Sequence, residues 1–139
     1  MLLRVLRDLC GENLTSPPND LYSNQIIGLA IKVHKTLGPG LLESAYEECL
    51  AYELTKSSLP FGRQVSLPVI YESVRLDCAY RADFIVDNQL LIELKSIDKT
   101  LPIHDAQILT YLRLSGCRVG LLMNFNQEVL HRGLKRFVL

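Results

Sequence analysis

Apolar and polar positions change period several times along the chain, and each change marks a structural element. Ile26, Ile27, Ala30, Ile31, His34 and Leu37 recur at helical spacing, with Asn19, Asp20 or Ser23 available as a cap. Gly38-Pro39-Gly40 ends that helix, because proline lacks a donor and glycine accepts left-handed geometry. A second helix is expected over Leu41 to Lys56, with Leu42, Ala45, Tyr46, Cys49, Leu50 and Leu54 turned inward. Residues 63–71 alternate as a strand through Val65, Leu67, Val69 and Tyr71, and Pro68 places that strand at a sheet edge. Val74, Leu76, Cys78 and Tyr80 carry the alternation into two apolar strands, Tyr80 to Val86 and Leu90 to Lys95, joined by Asp87-Asn88-Gln89. Pro102 opens a helix reaching about Ser115, residues 117–124 read as an apolar strand, and residues 133–138 as a last one. Two helices, a run of strands, a helix and further strands describe an α/β layered domain with no internal repeat.

Inside the two apolar strands stand Asp83, Glu93 and Lys95. An unpaired charge in a buried strand costs several kcal/mol, roughly, so these groups need each other or a bound cation. Glu93 and Lys95 are two residues apart and therefore project from one face. Asp83 joins them only under one register. A two-residue turn at Asp87-Asn88 would set Asp83 opposite Ile92 and turn it away from Glu93. A three-residue turn, Asp87 to Gln89, sets Asp83 opposite Glu93. A metal site at this hairpin thus predicts an odd-length loop.

The 139 residues suffice for one domain with a substantial core. The 48% hydrophobic and 22% charged residues exclude a disordered chain. Fifteen basic and fifteen acidic residues cancel, so no global charge advertises a nucleic-acid partner. Arg132, Lys135 and Arg136 form the one basic cluster without acidic neighbours in sequence, which is read as a solvated face or a phosphate contact. Cys10, Cys49, Cys78 and Cys117 include no CxxC pair, which argues against a zinc or iron–sulfur site. Reduced thiols and the lack of a secretory pattern point to a cytoplasmic protein. The Met1 to Cys10 stretch is interrupted by Arg4, Arg7 and Asp8 and is too short to span a membrane. It reads as a frayed or docked helix, so residues 1–18 are taken as an N-terminal arm and linker, and residues 19–139 as the domain.

Taken with the helix that follows, Asp83 and Glu93-Leu94-Lys95 resemble the signature of the PD-(D/E)XK nuclease superfamily, with Ala82 where the name-giving proline would stand. Gln107 and Tyr111 match the QxxxY pair of RecB-like nucleases, and their i, i+4 spacing puts both on one helical face. Gly40-Leu41-Leu42-Glu43-Ser44-Ala45-Tyr46 resembles the GxxExxY signature of a family of small proteins in this superfamily. The surrounding residues 34–40 and 120–125 look like that family too, so the resemblance covers about residues 20 to 139. It implies a restriction-endonuclease-like αβββαβ core, a central mixed sheet flanked by helices.

The resemblance further implies a metal-dependent nuclease that hydrolyses DNA phosphodiester bonds. Asp83 and Glu93 would bind Mg²⁺ or Mn²⁺ through oxygen, with Glu43 as an added carboxylate. Lys95 would orient or deprotonate the attacking water, and Gln107 and Tyr111 would hold the phosphate backbone or fix Lys95. His34 is kept as a further ligand candidate, because RecB-like enzymes use a histidine on an early helix; the plainer reading is a hydrogen-bonded core histidine. The competing reading of Asp83, Glu93 and Lys95 is a buried ion network. The alternative for the whole chain is a non-catalytic module, binding nucleic acid or protein, that retains the nuclease fold. A structural assembly protein would rest only on the open edge at residues 63–71. A nuclease core with this charge balance would bind weakly, dimerise, or borrow a partner protein's specificity.

Overall fold

The computed structural model describes residues 4–6, 22–77 and 80–139. Two helices, α1 (Ser23–Leu37) and α2 (Glu43–Lys56), precede the strands β2 (Phe61–Ser66), β3 (Val69–Tyr71), β4 (Val74–Leu76), β5 (Arg81–Val86) and β6 (Leu90–Lys95). Helix α3 (Pro102–Ser115), strand β7 (Val119–Asn124), a short 3₁₀ turn and strand β8 (Leu134–Val138) complete the order. A short strand at the other end of the chain, β1 (Arg4–Leu6), joins the sheet, whose order is β1-β8-β7-β6-β5-β2. Among the described residues only β6 and β7 run parallel, so the sheet is mixed. This is the αβββαβ core, restriction-endonuclease-like in its order. Among the described residues no helix is long and apolar enough to cross a membrane.

The sheet is covered on both faces, which explains why β6 and β7 read as nearly continuous apolar runs. Leu90, Ile92, Leu94, Leu121 and Met123 pack with Ile26, Ala30, Val33, Tyr46, Leu50 and Leu54 from α1 and α2. Their neighbours Leu91 and Leu122 pack with Ile108, Tyr111 and Leu112 from α3. By alternation from Leu91, Glu93 and Lys95 lie on the α3 face of β6.

Several expectations are corrected. Residues 4–6 form a strand rather than a helix, because the open edge of β8 offers unpaired backbone groups that Arg4 to Leu6 satisfy in register with Arg136 to Val138. The rest of the arm, including Cys10, lies outside the described residues, as do Asn19, Asp20 and Cys78. The cap position of α1 is Tyr22, whose hydroxyl reaches across to donate to Asp87 Oδ2 at 3.0 Å. Leu42 is 78% exposed rather than inward, since it is the extended residue preceding α2. The strand expected over 63–71 is broken at Leu67-Pro68, and β3 pairs with β4 in a separate two-stranded hairpin. A proline there cannot donate to a ladder. The C-terminal basic cluster is only in part a solvated face: Arg132 is exposed, but Arg136 is buried, and Lys135 pairs with Asp105 of α3 at 3.0 Å.

Candidate active site

The β5–β6 turn has the odd length that brings Asp83 and Glu93 together. Val86 pairs with Leu90, Ile85 with Leu91 and Phe84 with Ile92, leaving a loop of Asp87, Asn88 and Gln89. Asp87 and Asn88 both take positive φ (50° and 55°), the left-handed geometry that Asp and Asn tolerate best among non-glycine residues. Gln89 N–H closes the turn on Val86 O at 3.0 Å, and Asp87 N–H docks on Pro60 O at 2.8 Å.

Beyond Phe84 and Ile92, side chains replace the backbone ladder. Asp83 N–H donates to Glu93 Oε1 at 2.9 Å, and Leu94 N–H donates to Asp83 Oδ2 at 2.8 Å. The two strands are thereby held apart by two carboxylates lying between them. Glu93 is only 5% exposed. Burial, reinforced by the neighbouring Asp83 charge, pushes its carboxyl up to about 8 against the opposing pull of the Asp83 amide and Lys95. Asp83 is raised too, chiefly by burial, while the Leu94 amide, Gln64 and Lys95 oppose the shift.

Lys95 projects beside this pair. Its Nζ donates to Gln107 Oε1 at 3.1 Å, and Gln107 Nε2 donates to Tyr111 Oη at 3.1 Å. Burial raises the Tyr111 hydroxyl above its ordinary range. The i, i+4 pair on α3 therefore forms a short chain ending on the lysine, and α3 is placed by its Pro102 start and by Leu101 N–H donating to His104 Nδ1 at 2.9 Å. Asn124 fixes the intervening loop: its Oδ1 accepts from Ile97 N–H, and its Nδ2 donates to Ile97 O.

Glu43 arrives from the opposite side. Gly40, at φ 96°, turns the chain in a way glycine favours. The buried Tyr46 stitches this turn from within, donating to Gly38 O at 2.6 Å and accepting from Leu41 N–H at 3.1 Å. Ser96, next to Lys95, donates to Leu41 O at 2.6 Å and ties the turn to the end of β6. Glu43 then opens α2, solvent-facing yet near enough for Asp83 to raise and Lys95 to lower its carboxyl, with partial desolvation the larger influence upward.

Two neighbours of the site escaped the sequence reading. Gln64 sits in β2 opposite the Asp83 position with φ 50°, an unusual conformation for a non-glycine residue in a strand. Its amide spends one hydrogen on Asp83 Oδ1 (3.1 Å) and the other on Glu47 Oε1 (2.9 Å). Glu47 also accepts from Arg63 at 2.9 Å. Glu47 is one helical turn from Glu43, and that i, i+4 spacing was the available signal; nothing local marks Gln64.

His34 takes no part in this group. Its Nε2 donates to the carbonyls of Phe125 (3.1 Å) and Gln127 (2.7 Å), the bonds of a core histidine. Among the described residues no three His, Cys, Asp or Glu side chains are set to hold a metal ion, so Glu43 does not close a three-ligand group with Asp83 and Glu93. The hairpin carboxylates are turned to backbone amides instead. Two such groups still suit a hard ion, because Mg²⁺ commonly takes one or two carboxylates and completes its shell with water and substrate phosphate. Each amide also occupies only part of a carboxylate's acceptor capacity.

Comparison with curated proteins and with solved structures gives no match. A family model of the PD-(D/E)XK nuclease superfamily, however, matches residues 20–137, from before α1 into β8, and includes every residue of the site described above. With that span, and with an aspartate opposite a Glu-x-Lys strand at the splayed end of a central hairpin, the chain belongs to the PD-(D/E)XK nuclease superfamily.

Proposed function

We propose that the protein is a divalent-metal-dependent nuclease acting on DNA, of the GxxExxY kind, with Asp83 and Glu93 as the metal-holding pair and Lys95 as the group facing the attacking water. The observation that carries this reading is the reciprocal bonding of Asp83 and Glu93 across the splayed hairpin. Two buried carboxylates with mutually unfavourable charge stand beside one lysine, a charge arrangement that a cation relieves. A bound Mg²⁺ or Mn²⁺ would stabilise charge on the scissile phosphate and lower the pKa of water.

The chain's own residues supply the rest. Asp83 and Glu93 present oxygen ligands, and Lys95 Nζ, steered by Gln107, faces the position from which water attacks or the phosphate oxygens carry charge. Tyr111 holds Gln107, and through it the lysine. Glu43 contributes a carboxylate from α2, where it can bind water in the outer shell. Gln64 fixes the second oxygen of Asp83. His34 is left to the core.

The test uses purified protein with labelled single- and double-stranded DNA, Mn²⁺ or Mg²⁺, and a chelator control. Metal-dependent cleavage is expected, and in Lys95→Ala it drops about a hundredfold, the usual worth of a positioned proton-transfer group. Cleavage unchanged in Lys95→Ala would overturn the assignment. A binding module with a retained fold predicts no cleavage by the wild type under any of these conditions.

A further inference from the structure

A cavity beside Lys95 extends past the residues that the chemistry above uses. About 650 Å³ in volume, it is walled by Val69, Tyr80, Ile103 and Leu114, and at one end by Lys95, Gln107 and Tyr111. Tyr80 is 47% exposed and meets Tyr111 edge to face, at 6.3 Å between ring centres. Ile103 is still more exposed. The β3–β4 hairpin extends this wall. Val69 pairs with Leu76 and Tyr71 with Val74, so these four apolar side chains share one face, the face on which Val69 meets the cavity. Tyr71, Val74 and Leu76 are exposed. An apolar surface with aromatic rings, open to water and ending on a lysine, is unusual for a chain of zero net charge.

Resting on the nuclease reading, we infer that this cavity accepts an unpaired base of the DNA strand being cut, so that the substrate is single-stranded DNA or an unpaired end rather than continuous duplex. Lys95 belongs both to the catalytic group and to the cavity, so a phosphate held at Lys95 leaves the base of the same or the adjoining nucleotide at the cavity's mouth. A free base has an apolar face that stacks on rings such as Tyr80, whatever its identity. A base inside a duplex is already stacked and would have to be extruded to enter, at a cost of roughly a few kcal/mol. The size suits a nucleoside-sized ligand. Because stacking contributes affinity without charge, it also suits a strand-binding surface on a protein of zero net charge.

Binding of a fluorescent dT12 strand is compared in EDTA with that of a 12-mer carrying the same phosphates and abasic sugars, and with a blunt duplex. The wild type is expected to hold dT12 about tenfold tighter than the abasic strand, as one well-stacked base implies. In Tyr80→Ala and in Ile103→Ser the preference shrinks toward unity, and in Tyr80→Phe it persists because the ring is kept. Equal binding of the two strands by the wild type, an unchanged preference in Tyr80→Ala, or duplex binding as tight as dT12 would each overturn the inference. The readout needs neither metal nor cleavage. Cleavage without base preference therefore removes the cavity from the account and spares the catalytic reading, and base-dependent binding without cleavage does the reverse.

Discussion

Glu93→Gln is expected to raise the thermal stability of the metal-free protein at pH 8 while lowering metal-dependent cleavage about a thousandfold, the scale of losing a metal's charge stabilisation. The glutamine oxygen still accepts from Asp83 N–H, so the bond that shapes the splayed hairpin is kept. What disappears is a buried negative charge beside Asp83. The sign follows from the direction of the shift. Glu93 is pushed up from the ordinary carboxylate range to about 8, so its contribution to stability is fully present below about pH 4.5 and is lost as pH rises through 8. Near pH 4.5 wild type and variant should melt together. Above pH 8 the variant should be more stable by an amount on the order of a few kcal/mol. Mn²⁺ should close that gap by raising the melting temperature of the wild type alone. Thermal scans across pH with and without Mn²⁺ measure all of this. A variant less stable than wild type at pH 8 would show that the carboxylate is structurally satisfied and not poised for a cation.

Phe125→Ala is the substitution expected to damage the fold most while also disturbing the site. The ring is fully buried and stacks on Tyr46 at 4.5 Å, and the Tyr46 hydroxyl holds the turn that leads to Glu43. The backbone of Phe125 is equally engaged: its N–H donates to Lys95 O at 2.8 Å, and its carbonyl accepts from His34. Truncation leaves a cavity where α1, α2 and the end of β6 meet. The cost is about 3–5 kcal/mol, a large share of the roughly 5–15 kcal/mol typical of a whole domain. Urea denaturation should show the midpoint falling with little change in slope. Phe125→Leu, which retains most of the packing, should lose much less, and a loss equal to that of alanine would place the contribution elsewhere.

The hairpin was legible in the sequence because strands have a period of two. Once Asp83 and Glu93 are required on one face, loop parity follows, and the turn at Asp87–Gln89 has that parity. The start of α3 was legible from Pro102, and the alignment of Gln107 with Tyr111 from helical spacing. Other features depend on partners distant in the chain. Strand β1 forms because β8 has an open edge, which no local pattern in residues 4–6 announces. Gln64 reaches Asp83 through a positive φ inside a strand, a conformation set by its surroundings and not by glutamine itself. Lys135 looked unpaired because Asp105 lies thirty residues away in sequence. The alternation of Val69 and Tyr71 reads as the end of a 63–71 strand and that of Val74 and Leu76 as the approach to the central hairpin, and Pro68 is the local sign that β3 and β4 leave the main sheet.

Calorimetric titration of Mn²⁺ into the metal-free wild type and into Asp83→Asn tests the proposed cation site at the β5–β6 hairpin most directly. The wild type should bind saturably at pH 7 with release of protons, because a carboxyl raised to about 8 must lose its proton to become a ligand. In Asp83→Asn that binding should be lost or fall at least tenfold, the lower range for disturbing a metal's supporting groups. No binding by the wild type, or equal binding by both proteins, would contradict a metal site built on Asp83 and Glu93.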